Sequence, residues 1–335
     1  MKKIVLPLVG IIFLAGACQK KELKSPNEEA KLTEEVSQRY CASDEVLQMQ
    51  IANNADRGKF LEDLELKTQS YKGRSNGINF RGAGVLYVPV VVHIVLPDPT
   101  KVTDAQIQSQ MDVLTKDFNK TNSELSNTSV YLGGYSYNSV PDCDVVFYVS
   151  QTIRKITTVT SFGTNDAVKK TSSGGSDPID ATTKLNMWAC DLSSGYLGYA
   201  QFPGGAAATD GVVIDYQAFG LATSATYPMY SAFNLGRTAT HEVGHWVNLR
   251  HIWGDRRCGT DYVDDTPAHD ASNGGCPAVG LKSQCTGKPL EQWMNYMDYT
   301  DDRCMYMFSG GQKSRMDAAI DLSRKNYFYT ETTKP

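Results

Sequence analysis

Apolar positions fall into blocks along the chain, and their spacing changes from block to block. Val85 to Leu96, VLYVPVVVHIVL, is a β-branched run that predicts a buried strand, with His93 packed inside it as a core residue rather than a ligand. The next block has helical spacing: Ile107, Met111, Leu114 and Phe118 recur along one face of Thr103 to Asn119, with Thr103 as the N-cap. Strand followed by helix argues for a mixed α/β (α+β) sheet. Val145 to Thr152, Leu185 to Trp188, Gly195 to Pro203 and Gly211 to Tyr216 read as shorter strands. The glycines and aromatics of GYLGYAQFP suit either an edge strand that a ligand backbone approaches or plain packing. Another helix is predicted from Arg237 or Thr238 to about Leu249, with Ala239, Val243 and Trp246 or Val247 on its apolar side. After Trp253 periodicity fades into glycines, aspartates and cysteines, until a last helix, Gly311 to Tyr327.

The N-terminus is patterned differently. Lys2 and Lys3 precede an apolar run, Ile4 to Leu14, too short to span a bilayer stably, and small residues follow up to Cys18. Residues 1–17 read as a signal peptide. Small residues before a cysteine resemble a bacterial lipobox, which would make Cys18 a lipidated first residue and the only contact with a membrane. Cleavage after Ala17 by an ordinary signal peptidase would release a secreted protein instead. Residues 18–33 are polar and charged, a solvated tether. Helical spacing resumes at Val46, Leu47, Met49 and Ile51 and again at Phe60, Leu61, Leu64 and Leu66, then gives way to Gly73, Arg74, Gly77, Arg81 and Gly82, an exposed stretch open to proteolysis. A boundary there separates an N-terminal segment, 34–81, from a main domain, 82–335.

Composition narrows the possibilities. With 33 Lys+Arg against 37 Asp+Glu, dispersed along 335 residues, there is no basic footprint for nucleic acid. Eight cysteines less Cys18 leave seven, so at least one other stands outside any disulfide framework. Cys258, Cys276, Cys285 and Cys304 cluster in the loop-rich part, as bridges of an exported protein would, and Cys143 with Cys190 could form a third pair. Cys41 is then the odd one. Asp255, Asp261, Asp264 and Asp265 supply hard oxygen ligands of the kind that bind calcium, although acidic loops are usually only solvated.

The chain has five histidines, and His241, His245 and His251 fall within eleven consecutive positions. Imidazoles four apart lie on one helical face about 6 Å apart along the axis, which suits two ligands of one tetrahedral ion. Glu242 between them completes H-E-x-x-H, where the histidines hold zinc and the glutamate handles the proton of a water. For His251 to reach the same ion the chain must leave the helix and turn back; the stretch resembles the metzincin pattern H-E-x-x-H-x-x-G-x-x-H, whose glycine makes that turn, and Asn248, the non-glycine residue type that best tolerates left-handed geometry, stands in its place. Asn295-Tyr296-Met297-Asp298-Tyr299 resembles the second half of that pattern, a methionine turn, which implies Met297 beneath the site.

These motifs, with VPVVVHIV, GYAQFP, DGVVIDY, HIWGD, VDDTP and NYMDYTDD in matching order, resemble the pappalysin family of metzincins. The resemblance implies a zincin-like fold and a zinc endopeptidase, monomeric, made as a latent precursor and acting on proteins or peptides. His241, His245 and His251 would be the zinc ligands, Glu242 the general base, Met297 the methionine of the turn and Tyr299 the group steadying the tetrahedral intermediate. Arg39-Tyr40-Cys41 resembles a cysteine switch, the thiolate occupying zinc and favoured by Arg39, with activation by cleavage near Arg81 or after Arg74. Bridges Cys258 to Cys285 and Cys276 to Cys304 are implied as well. Arginine-specific relatives place an acid a few residues after the methionine turn. Arg303 stands where that acid is expected, so an Arg303-lined pocket would favour acidic or neutral side chains. A non-catalytic binding lipoprotein on the same scaffold, and a zinc hydrolase acting on other bonds, are the competing readings.

Overall fold

A computed structural model describes residues 36–72 and 84–335. The signal peptide, the tether, Cys18 and the expected cleavage positions Arg74 and Arg81 lie outside the described residues. Two helices come first, α1 (Ser43–Asn53) and α2 (Ala55–Lys72), followed by β1 (Leu86–Leu96), α3 (Asp104–Phe118), α4 (Asn127–Leu132), β2 (Val145–Ile156), β3 (Leu185–Cys190), β4 (Gly198–Ala200) and β5 (Val212–Asp215). Helices α5 (Arg237–Trp246) and α6 (Gly310–Ala319) complete the set. None of the described helices is long and apolar enough to cross a membrane.

The five strands form one sheet in the order β2-β1-β3-β5-β4, parallel except for β4, which runs antiparallel to β5. The apolar run of β1 is continuous because both its faces are covered. Leu86, Val88, Val90, Val92 and Ile94 face the main core with Ile107, Met111, Leu114 and Phe118 of α3 and Ala239, Val243 and Trp246 of α5. On the other face Val95 packs with Trp188, Tyr199, Val213 and, from the N-terminal segment, Ala42 and Val46. Pro89 has no N–H for the ladder, and next to it the register with β2 shifts between Val90 and Val91. Thr103 caps α3 as its sequence predicts, its hydroxyl accepting from the Gln106 amide at 3.2 Å.

His93 is buried as a core residue, its ring nitrogens 2.9 Å from Ser176 Oγ and Asn186 Oδ1 and its face stacked on Trp188. The GYLGYAQFP stretch contributes only β4, at the sheet edge, and that edge is taken: Cys41 forms a parallel bridge with Gly198. Between α5 and α6 the chain has only isolated bridges and one short 3-10 turn, Asp302–Cys304. Disulfides Cys258–Cys285 and Cys276–Cys304 tie it. The expected third bridge is absent: Cys143 lies in the main core and Cys190 in the cluster across the sheet, so the sheet itself separates them. The last helix is broken by geometry, α6 continuing through a π-turn, Ile320–Arg324, into a 3-10 turn, Lys325–Tyr327.

Candidate active site

Helix α5 turns Ala239, Val243 and Trp246 into the core and His241, Glu242 and His245 toward the edge strand β4. Two close approaches make this possible. A side chain at Gly198 would collide with Glu242, and one at Gly244 would collide with the sulfur of Met297. The helix ends at Asn248, whose φ of +74° turns the chain back, while Leu249 N bonds Gly244 O at 2.9 Å. His251 thereby meets the other two: His245 Nε2 is 3.1 Å from the Nε2 atoms of both His241 and His251.

Each imidazole is oriented from behind. His241 Nδ1 donates to Tyr296 O at 2.7 Å, His245 Nδ1 to Leu249 O at 2.8 Å, and His251 Nδ1 to the Asp255 carboxylate. Protons at Nδ1 leave three Nε2 lone pairs facing one point, an arrangement that repels itself unless a cation lies among them. Cys41 Sγ completes a buried group whose four ligand atoms all lie within 4.8 Å of one another. Three imidazoles and a thiol are a zinc-type donor set. Burial, then the neighbouring imidazoles, keep His241 and His245 well below the usual histidine range, so both are held neutral.

Met297 lies buried under Gly244, and its carbonyl accepts from Ile252 N at 3.2 Å, tying the turn to the backbone just past His251. Tyr299 grips the backbone of Cys41, accepting from its N–H and donating to its C=O, both at 3.2 Å. Glu242 Oε2 accepts from the Cys41 thiol at 3.3 Å and the Ser43 hydroxyl at 2.8 Å. Burial pushes the Glu242 carboxyl up to about 7, against the opposing hydrogen bonds of Ser43 and Cys41. Ser43, which nothing in its sequence surroundings marks, also accepts from Ala200 N of β4 at 2.8 Å. Trp253 is a second unforeseen member, stacked on His251 with ring centroids 4.4 Å apart.

Several expectations need correcting. Burial and then the Glu242 carboxylate push the Cys41 thiol well up, against the hydrogen bonds of Ser43. Arg39 is buried, its Nη2 2.6 Å from Asp302 Oδ1, its Nη1 2.9 Å from Thr238 Oγ1 and its guanidinium over the Phe233 ring. Arg303 is 72% exposed and leans on Cys276 Sγ and Asp301. The short turn at 302–304 points Asp302 inward and Arg303 out, which spacing alone could not decide. The four aspartates do not gather at one point. Asp255 holds His251, Asp261 accepts from Thr266 and Val263, Asp265 takes Ser309 Oγ and Gly311 N at the start of α6, and Asp264 is exposed. Among the described residues the histidine and cysteine group is the one cluster of metal-ligand type.

The family model described as Peptidase_M43, pregnancy-associated plasma protein-A, matches residues 177–321. An extracellular metalloprotease of Verticillium alfalfae is 32% identical over 257 residues, 74% of this chain and 82% of that protein. The chain belongs to the pappalysin family of metzincin metallopeptidases. Other curated fungal members are matched over about half their length, 47% and 48%. Among solved members, a mutant of Tannerella forsythia promirolysin is 33% identical, covers 86% of this chain and 96% of its own, and superposes with a TM-score of 0.74. Mature Tannerella forsythia mirolysin with a cleaved peptide is 35% identical, covers 76% of this chain and all of its own, with a TM-score of 0.65.

Proposed function

We propose that this pappalysin is an exported, latent zinc endopeptidase that carries its own plug, residues 34–81, and cleaves polypeptides next to arginine. The observation that carries the reading is Cys41 Sγ among the three Nε2 atoms, with Glu242 and Tyr299 closed around it. His241, His245 and His251 would hold zinc, and Cys41 would fill its remaining position in the precursor. Zinc, when bound, supplies Lewis acidity that acidifies water and polarises a peptide carbonyl. Glu242 takes the proton of the attacking water at Oε2, the oxygen that now faces the thiol, and returns it to the leaving amine. Tyr299 already donates to a backbone carbonyl, that of Cys41, and in the open form its hydroxyl would donate to the developing oxyanion.

Specificity follows from Asp302. Leu235 N and Arg237 N hold its Oδ2 at 2.8 and 3.3 Å, leaving Oδ1 for the Arg39 guanidinium. A substrate arginine would take the place Arg39 now occupies. The cleaved peptide bound to mature mirolysin supports polypeptide substrates. Relatives described as extracellular, and two disulfides, support export. Labelling with palmitate separates lipidation at Cys18 from simple cleavage after Ala17.

The test is to incubate the full-length precursor with zinc and follow self-cleavage and casein hydrolysis. Glu242→Ala should lower hydrolysis by at least about a hundredfold, and activity surviving that change would sink the mechanism. Cys41→Ala should be active without a lag; unchanged latency would count against the plug. Peptides with arginine at the scissile bond should be preferred, and Asp302→Asn should remove that preference.

A further inference from the structure

The N-terminal segment touches the main domain at a second charged place, away from Asp302. Arg315 of α6 is fully buried, and its guanidinium forms a two-pronged pair with Glu65 of α2, Nη1 to Oε1 at 2.9 Å and Nη2 to Oε2 at 2.6 Å. Its Nε donates to Asn248 O at 2.8 Å, the carbonyl of the turn that delivers His251, and the guanidinium lies over the Tyr262 ring. Main-domain contacts therefore hold this fork in place, and only its two outer donors depend on Glu65. Arg250 interacts electrostatically with Arg315, and Asp44 of α1 with Arg250. A cavity of about 290 Å³ lies beside Arg250, lined also by Asp44, Arg256, Tyr262, the ring that Arg315 lies over, and the Asp255 that holds His251.

The acids of the main domain near this space are already engaged. Asp255 is bonded to His251, and Asp261 accepts from Thr266 and Val263. When residues 36–72 leave, Asp44 and Glu65 leave with them: Arg315 loses the carboxylate paired with it, and Arg250 keeps only the attraction of Asp255, whose carboxylate is bonded to His251. Along the segment the order is Arg39 at Asp302, Cys41 at the metal position, then Asp44 near Arg250. Arg250 thus lies beyond the metal position from Asp302, and Arg315, which interacts with Arg250, adjoins it at the Tyr262 ring.

We propose that Arg315 and Arg250 form a carboxylate-binding subsite of the activated enzyme, selecting substrates with an acidic side chain on the far side of the scissile bond from the arginine in the Asp302 pocket. The proposal rests on the reading of 34–81 as a removable plug. A planar fork held from behind, over an aromatic ring, is built for a carboxylate, and Glu65 shows the pose. Lysine could not reproduce the paired contact.

The experiment uses the full-length chain, activated in zinc, and paired peptides that share one arginine and carry glutamate or glutamine at successive positions on the other side of the cleaved bond. The glutamate peptide should give a kcat/KM about tenfold higher at its best position, as expected for a charge-assisted bidentate contact, with the advantage shrinking as salt rises. The glutamate-to-glutamine ratio, taken within each variant, should fall toward one in Arg315→Lys and Arg250→Gln. Arg250→Gln preserves the test if Arg315→Lys disturbs the turn at Asn248. Binding of the same peptides to trypsin-trimmed Glu242→Ala chain, by fluorescence anisotropy, reads the subsite without catalysis. Cleavage with equal rates for both peptides at every position overturns the subsite and leaves the peptidase reading intact. Tighter binding of the glutamate peptide without any cleavage supports the subsite and sinks the peptidase reading. Retention of residues 36–72 on the activated chain overturns the proposal.

Discussion

Residues Leu86 to Trp246 and residues Val247 to Ser309 are held together by different means. In the first, a sheet apolar on both faces buries α3 and α5 against one of them, and stability is spread over many side chains of two clusters, one on each face. In the second, short bridges, two disulfides and buried polar groups replace regular structure. Asp298 takes Asn273, Asp302 takes Leu235 and Arg237, and Asn295 pairs with Gln312 of α6. The metal-ligand cluster straddles the divide: α5 delivers His241 and His245 by helical spacing, while the irregular part delivers His251, Met297 and Tyr299. Precise placement does not require regular secondary structure, only that each backbone group in the irregular part has a defined partner.

Breaking the first region should be costliest. Trp246 is fully buried, flanked by Tyr327, Phe328 and the Arg324 guanidinium. Trp246→Ala should cost about 3–5 kcal/mol in urea unfolding, across the whole domain. A loss under about 1 kcal/mol would mean the core does not carry this region. Breaking the second region should be nearly as costly but local. Cys258→Ser with Cys285→Ser opens a loop with a sequence separation of 27, and the chain-entropy model puts the loss at about 3–4 kcal/mol. Amide exchange should accelerate between Gly254 and Cys304 and stay slow in β1. Uniform acceleration would erase the contrast.

Acid sharpens the comparison further. Burial lowers the His93 pKa from 6.5 to about 4. The folded state thus binds this proton less readily than the unfolded chain, so the contribution is complete above the unfolded value and is lost as pH falls through 6.5 toward 4. The span is worth about 3 kcal/mol. His93→Gln should flatten that part of the stability–pH curve relative to the parent; parallel curves would show that His93 is not held neutral. The smallest effect belongs to the junction itself. Asn248→Gly should change stability by only a few tenths of a kcal/mol, whereas Asn248→Val, forced to φ above zero, should cost about 1–2 kcal/mol. Zinc affinity should weaken with it, because the turn carries His251. Equal stability and zinc binding in the two variants would detach the turn from the site.

The strands, α3 and α5 were legible because burial on a sheet or one helical face imposes a periodicity that the residues must obey. Asn248 was legible for a related reason, since left-handed backbone restricts the residue type. The inward and outward sense of Asp302 and Arg303 was not, because the 3-10 turn that carries them has no apolar rhythm. Nor was the separation of Cys143 from Cys190, which depends on which face of the sheet each occupies, or Ser43, one hydroxyl among many.

By itself the sequence determined the sheet, the H-E-x-x-H helix, the third histidine and the family, since each depends on spacing along a single element or on a motif read in order. Only the tertiary structure decided which polar partners surround the site: Arg39 on Asp302, Asp255 behind His251, and Glu65 on Arg315. These are contacts between residues up to 263 positions apart, between polar groups that obey no periodicity. Charge complementarity is specified by where the folded backbone brings two groups together, and the order of residues along the chain does not record it.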